Sequence, residues 1–125
     1  MTVILDAGAL IAIDRGDRMM GAIVKRERKA GRVPASHGGV VGQVWRDGGR
    51  QANLARLLRA VHVSPIDEGV GRRAGSLLAR AGTSDVIDAA VALLARDGDE
   101  IYSTDPRDIE DLCRAVNVSV DIIRV

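Results

Sequence analysis

Residues 3–12 read V-I-L-D-A-G-A-L-I-A, and this stretch decides the fold class. Residues 1–5 are an apolar run rich in β-branched side chains, which predicts a strand buried on both faces. The run ends at Asp6, and the apolar segment over residues 7–13 predicts one or two helical turns. In an α/β protein with a parallel sheet, Asp6 would lie beyond the carboxyl end of its strand, where such sheets have their ligand sites.

The rest of the chain alternates between helical and strand patterns. Helices are expected over residues 18–30, 36–46, 50–60, 67–80, 85–97 and 105–115, and strands over residues 32–35, 61–66, 100–103 and 118–125. This alternation predicts a single α/β domain over residues 1–125 with a mainly parallel central sheet. Right-handed crossovers would place helices on both faces of that sheet.

The composition excludes several classes of protein. Aromatic residues make up 2% of the chain and Phe is absent, so a sheet that stacks RNA bases on aromatic rings is excluded. One Cys and two His allow neither an internal disulfide nor a Cys/His zinc cluster. No apolar run is long enough to span a membrane, and the N-terminus lacks the features of a signal peptide. We therefore expect a cytoplasmic protein with no membrane partner.

The charges are segregated along the chain. Residues 14–59 carry eleven Lys and Arg against four acids, a net charge of +7, whereas residues 60–125 carry seven Arg against twelve acids, a net charge of −5. This asymmetry has two explanations: a polyanion-binding surface beside a metal-binding one, or two differently solvated faces. Charge alone favours the second explanation.

Three acids, Asp6, Asp88 and Asp105, are predicted to lie at one edge of the sheet. Asp6 and Asp105 follow two strands, and Asp85 and Asp88 share one face in the first turn of a helix. Carboxylates brought close together repel one another unless a cation compensates their charge. Oxygen ligands without His or Cys favour Mg²⁺ or Mn²⁺, which can polarise a phosphodiester and activate water.

The same acids also have a purely structural explanation. Asp105 precedes Pro106 as a helix N-cap precedes a proline at the first helical position, and Asp85 can cap its own helix. Taken singly, Asp85 and Asp105 are better explained as caps. Asp6 and Asp88 adjoin strongly apolar sequence, and a buried acid needs a partner or a metal. Capping and metal binding are compatible roles for one residue.

Three stretches of the sequence resemble the acidic motifs of PIN-domain ribonucleases. They are V-I-L-D-A-G-A-L-I-A at residues 3–12, T-S-D-V-I-D-A-A-V-A at residues 83–92 and S-T-D-P-R-D-I at residues 103–109. The resemblance is strongest to VapC toxins of bacterial VapBC toxin–antitoxin systems and spans the whole chain. It implies a three-layer α/β/α PIN-like fold and a Mg²⁺- or Mn²⁺-dependent endoribonuclease that hydrolyses phosphodiester bonds in RNA of the tRNA or rRNA class.

The resemblance also implies roles for individual residues. The catalytic acids, which would bind the metal directly or through water, are Asp6, Asp88 and Asp105. Auxiliary roles fall to Asp85, Asp108 and the small hydroxyl residue Ser103. The family further implies a cognate VapB-type antitoxin, which can set a basic residue into the acidic site, and a homodimer.

One position departs from the family pattern. The family has a Glu on the helix after the second strand, and this chain has Gln43 in G-G-V-V-G-Q-V-W-R. The neutral amide lowers the negative charge of the site, although its carbonyl oxygen can still coordinate a metal or a bound water. Alternatively, Gln43 faces solvent and has no part in the site. The second function considered is therefore a catalytically weak PIN domain that binds RNA or a protein partner.

Residues near Gln43 are candidates for RNA contacts. Arg46 and Arg50 are predicted to bind RNA through its phosphates. Trp45 could stack on a base, but core or dimer packing is the favoured explanation because it lies on an apolar stripe. His37 either takes part in proton transfer or is an ordinary residue at a helix start, and the second explanation is favoured.

Overall fold

Five short strands form one sheet in the computed structural model, which describes residues 1–125. The strands are β1 (Val3–Leu5), β2 (Ala35–His37), β3 (His62–Ser64), β4 (Glu100–Ser103) and β5 (Asp121–Arg124). Their order across the sheet is β3-β2-β1-β4-β5, and every neighbouring pair is parallel. The parallel sheet predicted from the sequence is confirmed.

Seven helices cover the sheet in two groups. They are α1 (Ala7–Asp14), α2 (Arg18–Lys29), α3 (Gly38–Val44), α4 (Ala52–Leu58), α5 (Glu68–Ala81), α6 (Val86–Leu94) and α7 (Pro106–Ala115). Helix α1 packs on α2, α3 and α4, whereas α5, α6 and α7 pack on one another. Right-handed crossovers between parallel strands put the two groups on opposite faces of the sheet. None of these helices has the length and apolar character needed to cross a membrane.

The centre of the sheet explains the apolar run that opens the sequence. Val3, Ile4 and Leu5 of β1 are all at most 1% exposed, because helices cover both faces of the central strand. Ile101 on the neighbouring strand β4 is equally buried. The core is aliphatic, as the near absence of aromatic residues requires.

Most predicted boundaries are shifted by up to three residues, such as that of the strand expected over residues 32–35, which is β2 (Ala35–His37), and two of these shifts have a clear physical reason. Ser36 was expected to open a helix, but it lies inside β2, fully buried, with its hydroxyl donating to the Leu5 carbonyl at 2.8 Å. The helix begins after the next residue, His37, which caps it. Helix α6 ends at Leu94 rather than at residue 97, because the Asp99 carboxylate accepts the backbone N–H of Arg96 in a separate turn.

The strand order fixes where a ligand site can lie. From β1 the chain crosses to β2 and β3 on one side, and from β4 it crosses to β5 on the other. The connections that leave β1 and β4 therefore diverge to opposite faces and leave a crevice between them, which is the usual ligand site of an open parallel sheet. Leu5 pairs with Tyr102 across these two strands, which brings the ends of both to the same level.

Candidate functional site

Ser103 joins the carboxyl ends of β1 and β4. Its buried hydroxyl donates to Asp6 Oδ2 at 2.8 Å and accepts the backbone N–H of Asp105 at 3.0 Å. The other oxygen of Asp6 accepts the N–H of Ala7 at 2.8 Å, which caps α1. Asp6 is only 6% exposed, so its burial is compensated by these two hydrogen bonds.

The capping explanation holds for Asp85 but not for the side chain of Asp105. Asp85 Oδ1 accepts the N–H groups of Ile87 and Asp88, at 2.9 and 3.0 Å, and so begins α6. Asp105 occupies the N-cap position of α7 with Pro106 after it, yet its carboxylate forms no capping hydrogen bond. The exposed carboxylate of Asp105 is therefore available to a ligand.

Three carboxylates converge beyond the sheet edge. One oxygen each from Asp88, Asp105 and Asp108 lies within 4.8 Å of the other two. We call these three residues the acidic cluster. Asp88 comes from α6, while Asp105 and Asp108 are three residues apart at the start of α7, where such spacing puts two side chains on one face.

Burial and the repulsion between neighbouring carboxylates raise the pKa of two acids in the acidic cluster. Burial, followed by the charges of Asp85, Asp6, Asp105 and Asp108, raises the pKa of Asp88 to about 7. A hydrogen bond with the Asp105 carboxyl, together with the negative charge of that group, raises the pKa of Asp108. Asp6 lies beside the cluster, because Ser103 links its carboxylate to the backbone of Asp105, although it is not part of the 4.8 Å group.

The donor set fits a hard divalent cation. All of its ligands are carboxylate oxygens, which Mg²⁺ and Mn²⁺ prefer, and the Asp88 side chain has no hydrogen-bonding or ionic partner in the protein. Raised pKa values mark carboxylates that lack a compensating positive charge. A bound cation would remove that deficit. The acidic cluster could therefore hold Mg²⁺ or Mn²⁺, with Asp6 beside it.

A glycine lets the two central connections approach closely. A side chain at Gly8, in the first turn of α1, would overlap the Thr104 side chain in the loop after β4. The motif around Asp6 therefore needs a residue without a β-carbon at this position. This close contact holds the start of α1 against the loop that carries Asp105.

His37 is buried at the carboxyl end of β2, which lies at the same edge of the sheet. It ends β2 and caps α3, with Nδ1 accepting the Gly39 N–H at 3.1 Å. Its Nε2 lies 3.1 Å from the carbonyl oxygen of Ile87, in the first turn of α6. Burial lowers the pKa of His37, so the ring is neutral at physiological pH. The sequence-based interpretation as a helix-start residue is confirmed, but the link to α6 was not foreseen.

The remaining candidates lie on and after α3. Gln43 is exposed on α3 and forms no hydrogen bond in the protein. Arg46 donates to the carbonyl oxygens of Gly42 and Trp45 at the end of that helix. Arg50 is exposed, with a long 3.8 Å ion pair to Asp47. Trp45 is 38% exposed rather than part of the core.

Sequence reasoning gave too small a role to Asp108 and missed the contact between His37 and Ile87. The spacing of Asp105 and Asp108 could have indicated that Asp108 joins the site, because residues three apart in a helix share a face. No local signal could reveal the second, since the two residues are 50 positions apart.

Comparison with known proteins finds the fold but no relative in sequence. No protein-family model matches the chain, and no curated protein matches it. A solved chain of VapBC2 from Rickettsia felis, in a complex bound to a DNA fragment from its promoter, matches with a TM-score of 0.65 and 16% identity. The match covers 98% of this chain and 99% of that chain. The expected PIN-like fold of parallel sheet and flanking helices is confirmed.

Proposed function

We propose that this protein is a Mg²⁺- or Mn²⁺-dependent endoribonuclease that acts as the toxin of a type II toxin–antitoxin pair. The observation that carries the proposal is the acidic cluster, which lies at the crevice between β1 and β4 in a chain with the fold of a VapBC2 chain. Asp88 and Asp105 are proposed as metal ligands together with Asp6, and Asp108 as a further acid at the same site. A bound cation would supply Lewis acidity toward a phosphodiester and toward water.

The protein's own residues prepare this site. Ser103 fixes Asp6 and the backbone of Asp105 relative to each other through two hydrogen bonds. Asp85 fixes the start of α6, and with it the position of Asp88. Because the pKa of Asp88 is raised to about 7, a divalent ion held by this residue would displace a proton near neutral pH.

The substrate and the partner are proposed from charge. RNA is the proposed substrate, with Arg46 and Arg50 neutralising its phosphates. The proposed protein partner is a VapB-type antitoxin that sets a basic residue into the acidic cluster, where it would relieve the same repulsion as a metal. A homodimer is also proposed, since it would bring two acidic sites together on one RNA-binding surface.

A basic groove on the face of the sheet that α1, α2 and α4 cover would suit an acidic segment of the same proposed antitoxin. It has a volume of about 520 Å³ and lies between α1, α2 and α4. Its cationic lining residues are Arg18, Lys25, Arg28 and Arg56, beside the apolar side chains of Ile13, Val24 and Leu57. Cations next to apolar surface suit an amphipathic acidic protein segment better than a bare phosphate backbone.

Cleavage of RNA by the purified, antitoxin-free protein tests the proposal. Total bacterial RNA is incubated with the protein and Mg²⁺, Mn²⁺ or EDTA, and the Asp88→Asn variant is compared with Asp121→Asn. Asp121 is a matched control, because it is an exposed acid at the opposite edge of the sheet, where β5 begins. We expect discrete fragments with either metal, and no fragments with EDTA or with Asp88→Asn.

The alternative function is a catalytically weak PIN domain that binds RNA or a partner. It is suggested by Gln43, the neutral residue at the position where the family has Glu. Folded protein that binds RNA but cleaves none with either metal would favour this alternative. Cleavage that persists in Asp88→Asn would instead reject the acidic cluster as the active site.

A further inference from the structure

His37 connects α3 to α6, the helix that carries Asp88. As the last residue of β2 it is 2% exposed, and its ring bridges the first turn of α3 and the first turn of α6. Nδ1 accepts the N–H of Gly39, so it carries no proton. The carbonyl oxygen of Ile87 can only accept, so the ring proton lies on Nε2 and is donated to it. One neutral tautomer satisfies both contacts.

The contact falls directly beside a proposed metal ligand. Ile87 precedes Asp88 in α6, and the backbone between them belongs to the same helical turn. Asp85 caps this turn from its N-terminal end, and His37 contacts it from the side of the sheet. The backbone that carries Asp88 is therefore fixed at two points.

The start of α3 packs closely against Ile87. A side chain at Gly39 would overlap Ile87 Cδ1 and would lie 3.0 Å from His37 Cε1. The start of α3 thus presses on Ile87 through a residue that has no β-carbon. This second observation is independent of the hydrogen bond and indicates the same close contact between α3 and α6.

We propose that His37 is a positioning residue for the acidic site: its Nε2–H, donated to the Ile87 carbonyl, holds the first turn of α6 so that Asp88 faces Asp105. This inference rests on the proposed function, because it assumes that Asp88 binds the metal. Removal of groups that hold metal ligands in position commonly weakens metal affinity by 10- to 100-fold.

Two substitutions separate the two contacts of the ring. The amide of an asparagine side chain reaches about as far as Nδ1, so His37→Asn keeps a good cap for α3 but cannot reach Ile87. The amide of glutamine extends about as far as Nε2, so His37→Gln keeps a donor for the Ile87 carbonyl but loses the cap. His62→Asn is the matched control, since His62 is the only other histidine and is exposed on β3.

The measurement is Mn²⁺ affinity, determined from free Mn²⁺ by electron paramagnetic resonance, together with amide hydrogen exchange of the metal-free proteins. We expect His37→Asn to bind Mn²⁺ about tenfold more weakly and to exchange faster in the first turn of α6. His37→Gln and His62→Asn should bind Mn²⁺ like the unchanged protein, and His37→Gln should exchange faster in α3 instead.

The outcomes distinguish this inference from the proposed function. If the unchanged protein binds no Mn²⁺, or if Asp88→Asn binds it equally well, the proposed function fails. If Asp88→Asn loses Mn²⁺ while His37→Asn binds it normally, only the positioning role fails. Should His37→Asn not fold, His37→Gln alone tests the inference, because it keeps a donor for the Ile87 carbonyl. Folded His37→Gln that binds Mn²⁺ about tenfold more weakly than the unchanged protein would overturn the inference.

Discussion

Asp88→Asn is predicted to stabilise the metal-free protein at alkaline pH. In the folded state, burial and the surrounding acids raise the pKa of Asp88 from 3.8 to about 7. The ionised form is therefore disfavoured by folding, and the carboxylate has no partner in the protein to offset that cost. An asparagine has a similar shape and no charge to repel its neighbours.

The size of the effect follows from the pKa interval. The interval from 3.8 to about 7 corresponds to an upper bound of about 4 kcal/mol at about 1.4 kcal/mol per pH unit. Asp88 is only partly buried, and solvent screening reduces the expected gain to about 1–2 kcal/mol. Below about pH 4 both states carry the proton and no difference is expected. Between about pH 4 and 7 only the folded state keeps the proton, so the unchanged protein loses stability relative to the variant as pH rises. Above about pH 7 the difference is constant.

Urea unfolding in EDTA, at pH 4 and at pH 8, measures this difference. At pH 8 the free energy of unfolding of Asp88→Asn should exceed that of the unchanged protein by about 1–2 kcal/mol, and at pH 4 the two should agree. Asp121→Asn should show no such gain. Addition of Mn²⁺ at pH 8 should stabilise the unchanged protein by mass action but not Asp88→Asn. Equal stabilities at both pH values, or a less stable variant at pH 8, would refute the electrostatic reasoning.

Three further predictions concern the neighbouring residues. Ser103→Ala should lower the free energy of unfolding by about 1–3 kcal/mol and weaken Mn²⁺ binding, because the buried Asp6 carboxylate loses one of its two donors; unchanged values in urea and Mn²⁺ titrations would contradict this. Gln43→Glu should raise Mn²⁺ affinity by adding a negative charge, and an unchanged dissociation constant would show that residue 43 lies outside the site. Arg46→Ala and Arg50→Ala should each weaken RNA binding and make its dependence on salt concentration shallower, by roughly one unit of slope per lost phosphate contact. Identical salt titrations would exclude both arginines from the interface.

The fold could be predicted because its main signals are local. A buried central strand leaves an uninterrupted apolar run, and the alternation of periods two and 3.6 gives the parallel sheet. The boundary near Ser36 could not be predicted, because Ser and His in sequence resemble a helix start. Only the neighbouring strand shows that Ser36 donates into the sheet, to Leu5, and that the capping role passes to His37.

The candidate site could be predicted in part for the same reason. Carboxyl ends of parallel strands meet at one edge, so Asp6 and Asp105 were expected to lie together, and Ser103 does connect them. Which oxygens remain free is a matter of tertiary contacts. Both oxygens of Asp6 accept hydrogen bonds from the protein. The Asp88 side chain has no partner, and the Asp105 carboxyl caps no backbone N–H and is hydrogen-bonded only with Asp108; no spacing in the sequence encodes that difference.

The capping and metal-binding explanations of the acids describe one arrangement rather than two. Helices α1, α6 and α7 all begin at this edge of the sheet, and their N-termini carry partial positive charge that favours nearby carboxylates. Asp6 and Asp85 take up that compensation directly, through hydrogen bonds to backbone N–H groups. The helix N-termini therefore stabilise the negative charge of Asp6 and Asp85 without a cation, but they do not stabilise the charge of every acid at this edge. Asp88 has the least compensated negative charge, because it is half-buried, has no partner and has four other acids nearby. A cation bound at the proposed site would gain most at this residue, so the electrostatics single out Asp88 among the proposed ligands as the one on which metal affinity should depend most strongly.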